Sequence, residues 1–294
     1  MSSAPRPRVV LVDGVPMSGL AATADEPRAV IVALHGGAST AAYFDCPGHP
    51  RLSLLRLAAL TGFTVIALDR PGYGSSAPYP EALEDPDQRV ALAYGAVDKI
   101  LGESPRGAGL FIVAHSNGCE LALRMAADGR GADLVGLELA GTGLRYQDSA
   151  LDILQAASPS RRPPGLRGLL WEPAELYPPE VLGGITNSST GAPYEAAMVR
   201  DWPARDFPDL AGRVRVPVRF THAEHERVWC SDDEALEQIA AVFGAAPRFV
   251  VAEQLAAGHN LSVGRTAAAY HLGVLSFVEE CVVSRDADVK LEVR

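Results

Sequence analysis

Reactive side chains in this sequence stand next to small or turn-forming residues at Ser116 in Ala114-His115-Ser116-Asn117-Gly118, at His259 in Gly258-His259-Asn260, and at Glu224 and Glu226 in Ala223-Glu224-His225-Glu226. A serine hydroxyl is a weak nucleophile at neutral pH and needs a base within hydrogen-bond reach. The base in turn needs a carboxylate to hold its tautomer and stabilise the imidazolium. The chain order serine, acid, histidine supplies those types, and the chemistry they would perform together is nucleophilic attack on an acyl carbonyl. His35-Gly36-Gly37-Ala38 adds glycines whose backbone N–H groups can approach a ligand closely. Each feature also has a plainer reading. Ser116 could cap a helix, the acidic pair could be a solvated loop, and a lone histidine is more often structural. His222 and His225 with Glu224 hint at a metal site, but no third ligand has the spacing to support it, so no metal is expected. Cys119, just past the serine, is expected to pack against a sheet.

The elements around these residues decide which reading applies. Leu110 to Ala114 is an apolar run suited to a strand buried on both faces, and Glu120 to Asp128 reads as a helix with Leu121, Ala122, Met125 and Ala126 on one side. Ser116 therefore falls at a sharp strand-to-helix turn. Upstream, Val9–Val12 and Met17–Thr23 flank Asp13-Gly14 as a hairpin at a sheet edge. Ala29–Leu34 and Thr64–Leu68 are buried strands, and Arg51–Leu60 and Asp87–Leu101 are helices. Leu134–Leu139, Val216–Thr221 and Arg248–Ala252 are the later strands, with helices over Asp232–Phe243 and Gly264–Val283 and a solvated tail from Ser284 to Arg294. This alternation predicts a mostly parallel sheet covered on both faces. Ser116, Glu224, Glu226 and His259 all fall just beyond strand ends, which in such a sheet converge on one crevice.

From Gly141 to about Leu210 the pattern changes. Pro159, Pro163, Pro164, Pro173, Pro178, Pro179, Pro193, Pro203 and Pro208 interrupt any long helix, with Trp171, Tyr177, Tyr194 and Trp202 between them. The segment is too long for an ordinary connection and apolar enough to form short helices, which suits a lid over a site; the alternative is a dimer-forming excursion.

The 294 residues are 48% hydrophobic and carry a formal net charge of -10, with Lys99 and Lys290 the only lysines. No basic stripe exists, so nucleic acid is not an expected partner. Cys46, Cys119, Cys230 and Cys281 match no zinc or C-x-x-C spacing and read as reduced thiols of a cytoplasmic protein. Met1 to Arg8 has no apolar core of signal-peptide length, and no apolar run is read as approaching a membrane span.

Together these motifs resemble the α/β-hydrolase superfamily from about Val9 to Val283. Ala114-His115-Ser116-Asn117-Gly118 resembles its nucleophile elbow G-x-S-x-G, with alanine for the first glycine. His35-Gly36-Gly37 resembles its oxyanion loop, and Asp69-Arg70-Pro71-Gly72-Tyr73-Gly74-Ser75-Ser76 is similar to its structural D-x-P-G-x-G-x-S loop. The resemblance implies an α/β-hydrolase fold with a core of residues 1–140 and 211–294 and a helical lid of residues 141–210 inserted before the last two strands. It implies Ser116 as nucleophile and His259 as base, with oxyanion donors at Gly37 and Asn117, or at Ala38 if the loop register differs by one. Glu226 matches the acid position of G-x-x-D, with Glu224 as the alternative and Asp232 and Asp233 behind it. Family members with dehalogenase or epoxide-hydrolase chemistry carry aspartate at the elbow, so serine points to ester, thioester, lactone or amide cleavage. A lyase, cyclase, epimerase or acyltransferase using His259 as base is the alternative, and a ligand cup without catalysis a more distant one. The expected partner is a small-molecule substrate without a cofactor or a membrane, and a homodimer is left open.

Overall fold

The computed structural model describes residues 4–156, 163–184 and 190–292; Pro159 and the ends of the chain lie outside them. β1 (Arg6–Val12) and β2 (Val15–Ala22) form the opening hairpin. Its two-residue turn has Asp13 at φ 49° and Gly14 at φ 83°, the left-handed pair that matches strand twist. Val12 therefore pairs directly with Val15, and β2 starts earlier than its apolar pattern suggests. β3 (Val30–Leu34), β4 (Thr64–Leu68), β5 (Leu110–His115), β6 (Gly136–Ala140), β7 (Val218–His225) and β8 (Phe249–Gly258) complete one sheet in the order β1-β2-β4-β3-β5-β6-β7-β8. From β4 to β8 every pairing is parallel. Only β1 and β2 run antiparallel to their neighbours.

The apolar runs alternate between two cores, as strand geometry requires. Val32, Leu34, Ile112 and Ala114 face one side, where α2 (Pro86–Leu101) and α3 (Gly118–Ala127) pack. Ile31, Ala33, Phe111 and Val113 face the other, against α1 (Leu54–Leu60) and the closing helix Ala267–Glu292. Polar caps fix several helix starts. Ser53 accepts the Arg56 N–H at 3.0 Å and so begins α1 at Leu54 rather than at Arg51, where the leucine spacing starts. Asp232, an outlying candidate for the acid, accepts the Ala235 N–H at 2.9 Å as the cap of Asp233–Val242.

Between β6 and β7 the chain leaves the sheet as α4 (Asp148–Gln155), α5 (Leu166–Trp171), α6 (Pro179–Leu182), α7 (Glu195–Asp201), a π turn (Trp202–Asp206) and α8 (Phe207–Ala211). These are the short helices expected of a proline-broken segment. α9 (Asp233–Val242) and α10 (Ala267–Glu292) then follow β7 and β8.

Other expectations need correction. β8 runs to Gly258, not Ala252, because pairing with β7 carries Glu253 and Gln254 into the ladder against their weak strand preference. Ser284 to Glu292 continues α10 and is no loose tail; the Arg285 guanidinium reaches the Asp133 carbonyl at 2.7 Å. Within α10, Ala267–Arg285 is long and apolar enough by composition to cross a membrane, contrary to the reading that no run approaches a span. Here half of that segment is buried, with Tyr270, Val274, Phe277 and Val278 in the second core.

Candidate active site

Strand β5 ends at His115, and the next residue turns sharply. Ser116 has φ 51°, a left-handed conformation that a non-glycine residue adopts only under constraint. The constraint is visible: the Ser116 N–H donates to the Ala140 carbonyl at 2.8 Å, and its own carbonyl accepts the Cys119 N–H at 2.9 Å. Small neighbours make the turn possible. A Cβ on Gly118 would lie 2.4 Å from the Leu34 carbonyl oxygen, and one on Gly36 would lie 3.0 Å from the Ser116 Cβ. Ala114 sits inside the parallel register between Leu34 and Leu139, where a methyl fits. Ser116 is not the helix cap: Asn117 occupies that position and makes no side-chain capping bond. Cys119 is buried with its thiol 3.5 Å from the Ala140 carbonyl, as its position suggested.

His259 follows β8 directly and is 2% exposed. Its Nε2 lies 3.2 Å from Ser116 Oγ, and its Nδ1 lies 3.0 Å from each oxygen of Glu226. An ionised carboxylate only accepts, so Nδ1 carries the proton and Nε2 presents a lone pair to the serine. Glu226 also accepts the Val228 N–H at 2.8 Å. Burial pushes its pKa up, but the charge and hydrogen bond of His259 and the Val228 and Trp229 amides outweigh burial and hold it below the ordinary glutamate value. Glu224 is elsewhere. Its side chain is 41% exposed and its carboxylate takes the Ala256 N–H at 2.6 Å. His225 lies 3.8 Å from Glu224.

Two further histidines shape the site, and the sequence marks neither beyond its motif. His115 Nε2 lies 2.8 Å from the His259 carbonyl, an obligate acceptor, so that nitrogen carries the proton. Burial first, and the neighbouring His259 second, hold His115 well below the ordinary histidine pKa, so it stays neutral beside His259. His35 donates from Nδ1 to the Gly36 carbonyl at 2.8 Å and accepts the Arg70 N–H at Nε2 at 3.1 Å. Burial and the Arg70 charge keep it neutral as well. Gly141, at φ 65°, clears the space for the rings of His115 and His259. A Cβ there would stand 2.9 Å from His115 Nε2 and 3.1 Å from His259 Cε1.

Facing Ser116 is the Gly36-Gly37-Ala38 loop. A Cβ on Gly37 would lie 2.9 Å from the Asn117 side-chain nitrogen, so a larger residue here would have to displace that side chain. The Ala38 N–H is taken by the Tyr73 hydroxyl at 3.1 Å. A cavity of about 770 Å³ opens above these residues. Ser116, His259, Gly37 and Asn117 form its floor; Tyr146, Leu154, Leu170, Trp171, Val199 and Trp229 line its walls. Buried Glu195 also borders it and forms an ion pair with wholly buried Arg70 at 2.5 Å. Nothing in the local sequence around Glu195 marks it, because its partners lie more than a hundred positions away. Among the described residues no cluster of histidine, cysteine and acidic side chains is arranged to hold a metal ion.

No curated protein matches this sequence. Solved structures do resemble it in three dimensions. The thioesterase domain from the curacin biosynthetic pathway is 19% identical, with 93% of this chain and 100% of that one covered and a TM-score of 0.62. An N-acyl homoserine lactonase complexed with N-hexanoyl homoserine gives 18%, 95% and 98% with a TM-score of 0.66. E-2-(acetamidomethylene)succinate hydrolase gives 17%, 94% and 100%, also with 0.66. At such identities the likeness shows the fold alone. The sequence itself matches the family model of the Alpha/beta hydrolase family over residues 31–270, most of the sheet and all of the residues gathered around Ser116, and the chain belongs to that family.

Proposed function

We propose that this protein is a serine hydrolase cleaving an ester or thioester, with lactone or amide cleavage within reach of the same chemistry. The observation that carries this reading is the continuous hydrogen-bond chain Ser116 Oγ, His259 Nε2, His259 Nδ1, Glu226, with steps of 3.2 and 3.0 Å. His259 takes the proton as Ser116 attacks the carbonyl carbon, and Glu226 stabilises the imidazolium. The developing oxyanion accepts the Gly37 and Asn117 amides. Engagement of the Ala38 N–H by Tyr73 favours Gly37 as the loop donor. Each such donor is worth about 3 kcal/mol of barrier. His259 then protonates the leaving group, and water cleaves the acyl-enzyme with the roles reversed.

Residues 141–210 are assigned as a lid over this centre, supported by the wall residues that α4, α5 and α7 contribute to the cavity. A cavity of about 770 Å³ with aromatic and aliphatic walls suits a small or medium, partly apolar substrate. Treatment with a fluorophosphonate probe and mass mapping of the labelled peptide tests the proposal, alongside p-nitrophenyl esters and acyl thioesters of increasing chain length. Labelling at Ser116, abolished in Ser116→Ala, is the expected result. Turnover that survives Ser116→Ala but not His259→Ala would instead assign a non-hydrolytic reaction with His259 as base.

A further inference from the structure

Tyr73, Arg70 and Glu195 sit together beside the oxyanion loop, although the sequence separates Glu195 from the other two by 122 and 125 positions. Tyr73 is wholly buried, and its hydroxyl makes three contacts: Glu195 Oε2 at 2.7 Å, the Ala38 N–H at 3.1 Å and the Ala192 N–H at 3.3 Å. Both amides can only donate. The phenol proton must therefore go to an acceptor, and the Glu195 carboxylate is that acceptor. Arg70 holds the other Glu195 oxygen at 2.5 Å and fixes the carboxylate in place. Ala38, the residue whose N–H is captured, has φ 53°. A non-glycine residue in that conformation must be held there by its surroundings, and the Tyr73 hydroxyl is one group bonded to it there.

We propose that Glu195 is a positioning residue for the oxyanion hole, acting through Tyr73 on the 36–38 loop. Because Glu195 takes the phenol proton, the lone pairs of Tyr73 are left for Ala38, the loop turns at residue 38, and the Gly37 N–H remains as the donor to the reacting carbonyl. Glu195 belongs to the excursion between β6 and β7. The same hydroxyl also accepts from Ala192, and the Tyr194 hydroxyl donates to the Pro71 carbonyl at 2.8 Å. The hole is thus complete only while residues 192–195 are docked on the core. The neutral amide of a glutamine at 195 cannot serve in the same way: its carbonyl would go to Arg70, leaving an N–H donor facing a hydroxyl that already receives two.

This inference rests on the serine-hydrolase reading, and the experiment separates the two. The second-order rate of fluorophosphonate labelling and the kcat and KM for a p-nitrophenyl ester are measured for wild type, Tyr73→Phe, Glu195→Gln and the double variant, each normalised to folded protein by thermal melt. Wild type that is not labelled at Ser116 would overturn the hydrolase reading. With wild type labelled, the expected result is a loss of at least about tenfold in labelling rate and kcat for each single variant, KM within about twofold, and no further loss in the double variant. Labelling at the wild-type rate in either folded single variant would overturn the role of Glu195 and Tyr73. Multiplying losses in the double variant would overturn the route from one to the other. If Tyr73→Phe fails to fold, Glu195→Gln alone decides by its labelling rate and its kcat against KM.

Discussion

Glu226→Gln is the substitution that most directly separates the residues around His259. Gln and Glu have nearly the same shape, and Glu226 is 2% exposed on its side chain, so packing is preserved. What changes is the hydrogen-bond logic. The amide carbonyl can still accept the Val228 N–H that Glu226 now takes at 2.8 Å. Its NH2 group would then face His259 Nδ1 across about the same 3.0 Å separation, and a donor there demands an unprotonated Nδ1. The proton moves to Nε2, where it points at Ser116 Oγ and cannot receive the serine proton. In Ser-His-acid sites the wrong tautomer costs about 10⁴ in kcat, or roughly 5.5 kcal/mol of barrier at about 1.4 kcal/mol per tenfold. KM should change little, because Glu226 does not touch the cavity walls. Glu224→Gln is the control. Its exposed carboxylate binds the Ala256 N–H, so kcat should stay within about threefold of wild type. Steady-state kinetics on one p-nitrophenyl ester suffice. Glu226→Gln with more than a tenth of wild-type kcat, or Glu224→Gln falling as far as Glu226→Gln, would refute the assignment.

Gly141→Ala should lower kcat by tenfold or more and destabilise the fold by about 1–2 kcal/mol, because residue 141 is left-handed and the new methyl presses on His115 and His259; a normal kcat with an unchanged melt would contradict this. Asp232→Ala should cost about 1 kcal/mol by denaturant titration through its lost helix cap, with kcat unaffected. Acid should weaken the fold in a defined window. His35, His115 and His271 are held neutral by burial, the last down to about 3. As pH falls below the ordinary value of 6.5, the unfolded chain takes up protons that the native state refuses, so stability drops. At about pH 5 His271 contributes a loss of roughly 2 kcal/mol, a large share of a typical total, and His35 and His115 add losses of the same sign. Glu226 acts in the same direction at lower pH: its stabilisation is present above the ordinary value of 4.5 and is lost as pH falls from there through its lower native pKa. Urea midpoints that stay constant from about pH 7.5 to 5 would rule out the histidine effect.

What could be read from the sequence, and what could not, divides along a physical line. Ser116, Gly36, Gly37, Gly118 and His259 were legible because sharp turns at strand ends tolerate few residue types, and the restriction is local. The buried strands β3, β4 and β5 were legible because continuous apolar runs report burial on both faces. The far half of β8, beyond Ala252, was not, since its outer residues are exposed and its length depends on a partner strand. The choice between Glu226 and Glu224 shows the limit most sharply. Residues two apart on a regular strand share a face, so spacing alone favours neither. The register of β7 against β8 shifts between Ala223 and His225, and the Glu226 N–H turns back to the Ala223 carbonyl at 3.1 Å. That bend sends Glu226 inward to His259 and leaves Glu224 at the surface. Glu195 is the extreme case. A charged residue is ordinarily solvated, and only the meeting of α7 with the loop after β4 gives it Arg70 and Tyr73 as partners. Apolar periodicity reports which face is buried, but a buried charge is specified by its partner. Where that partner lies across the fold, the charge can be read only once the backbone has brought both together.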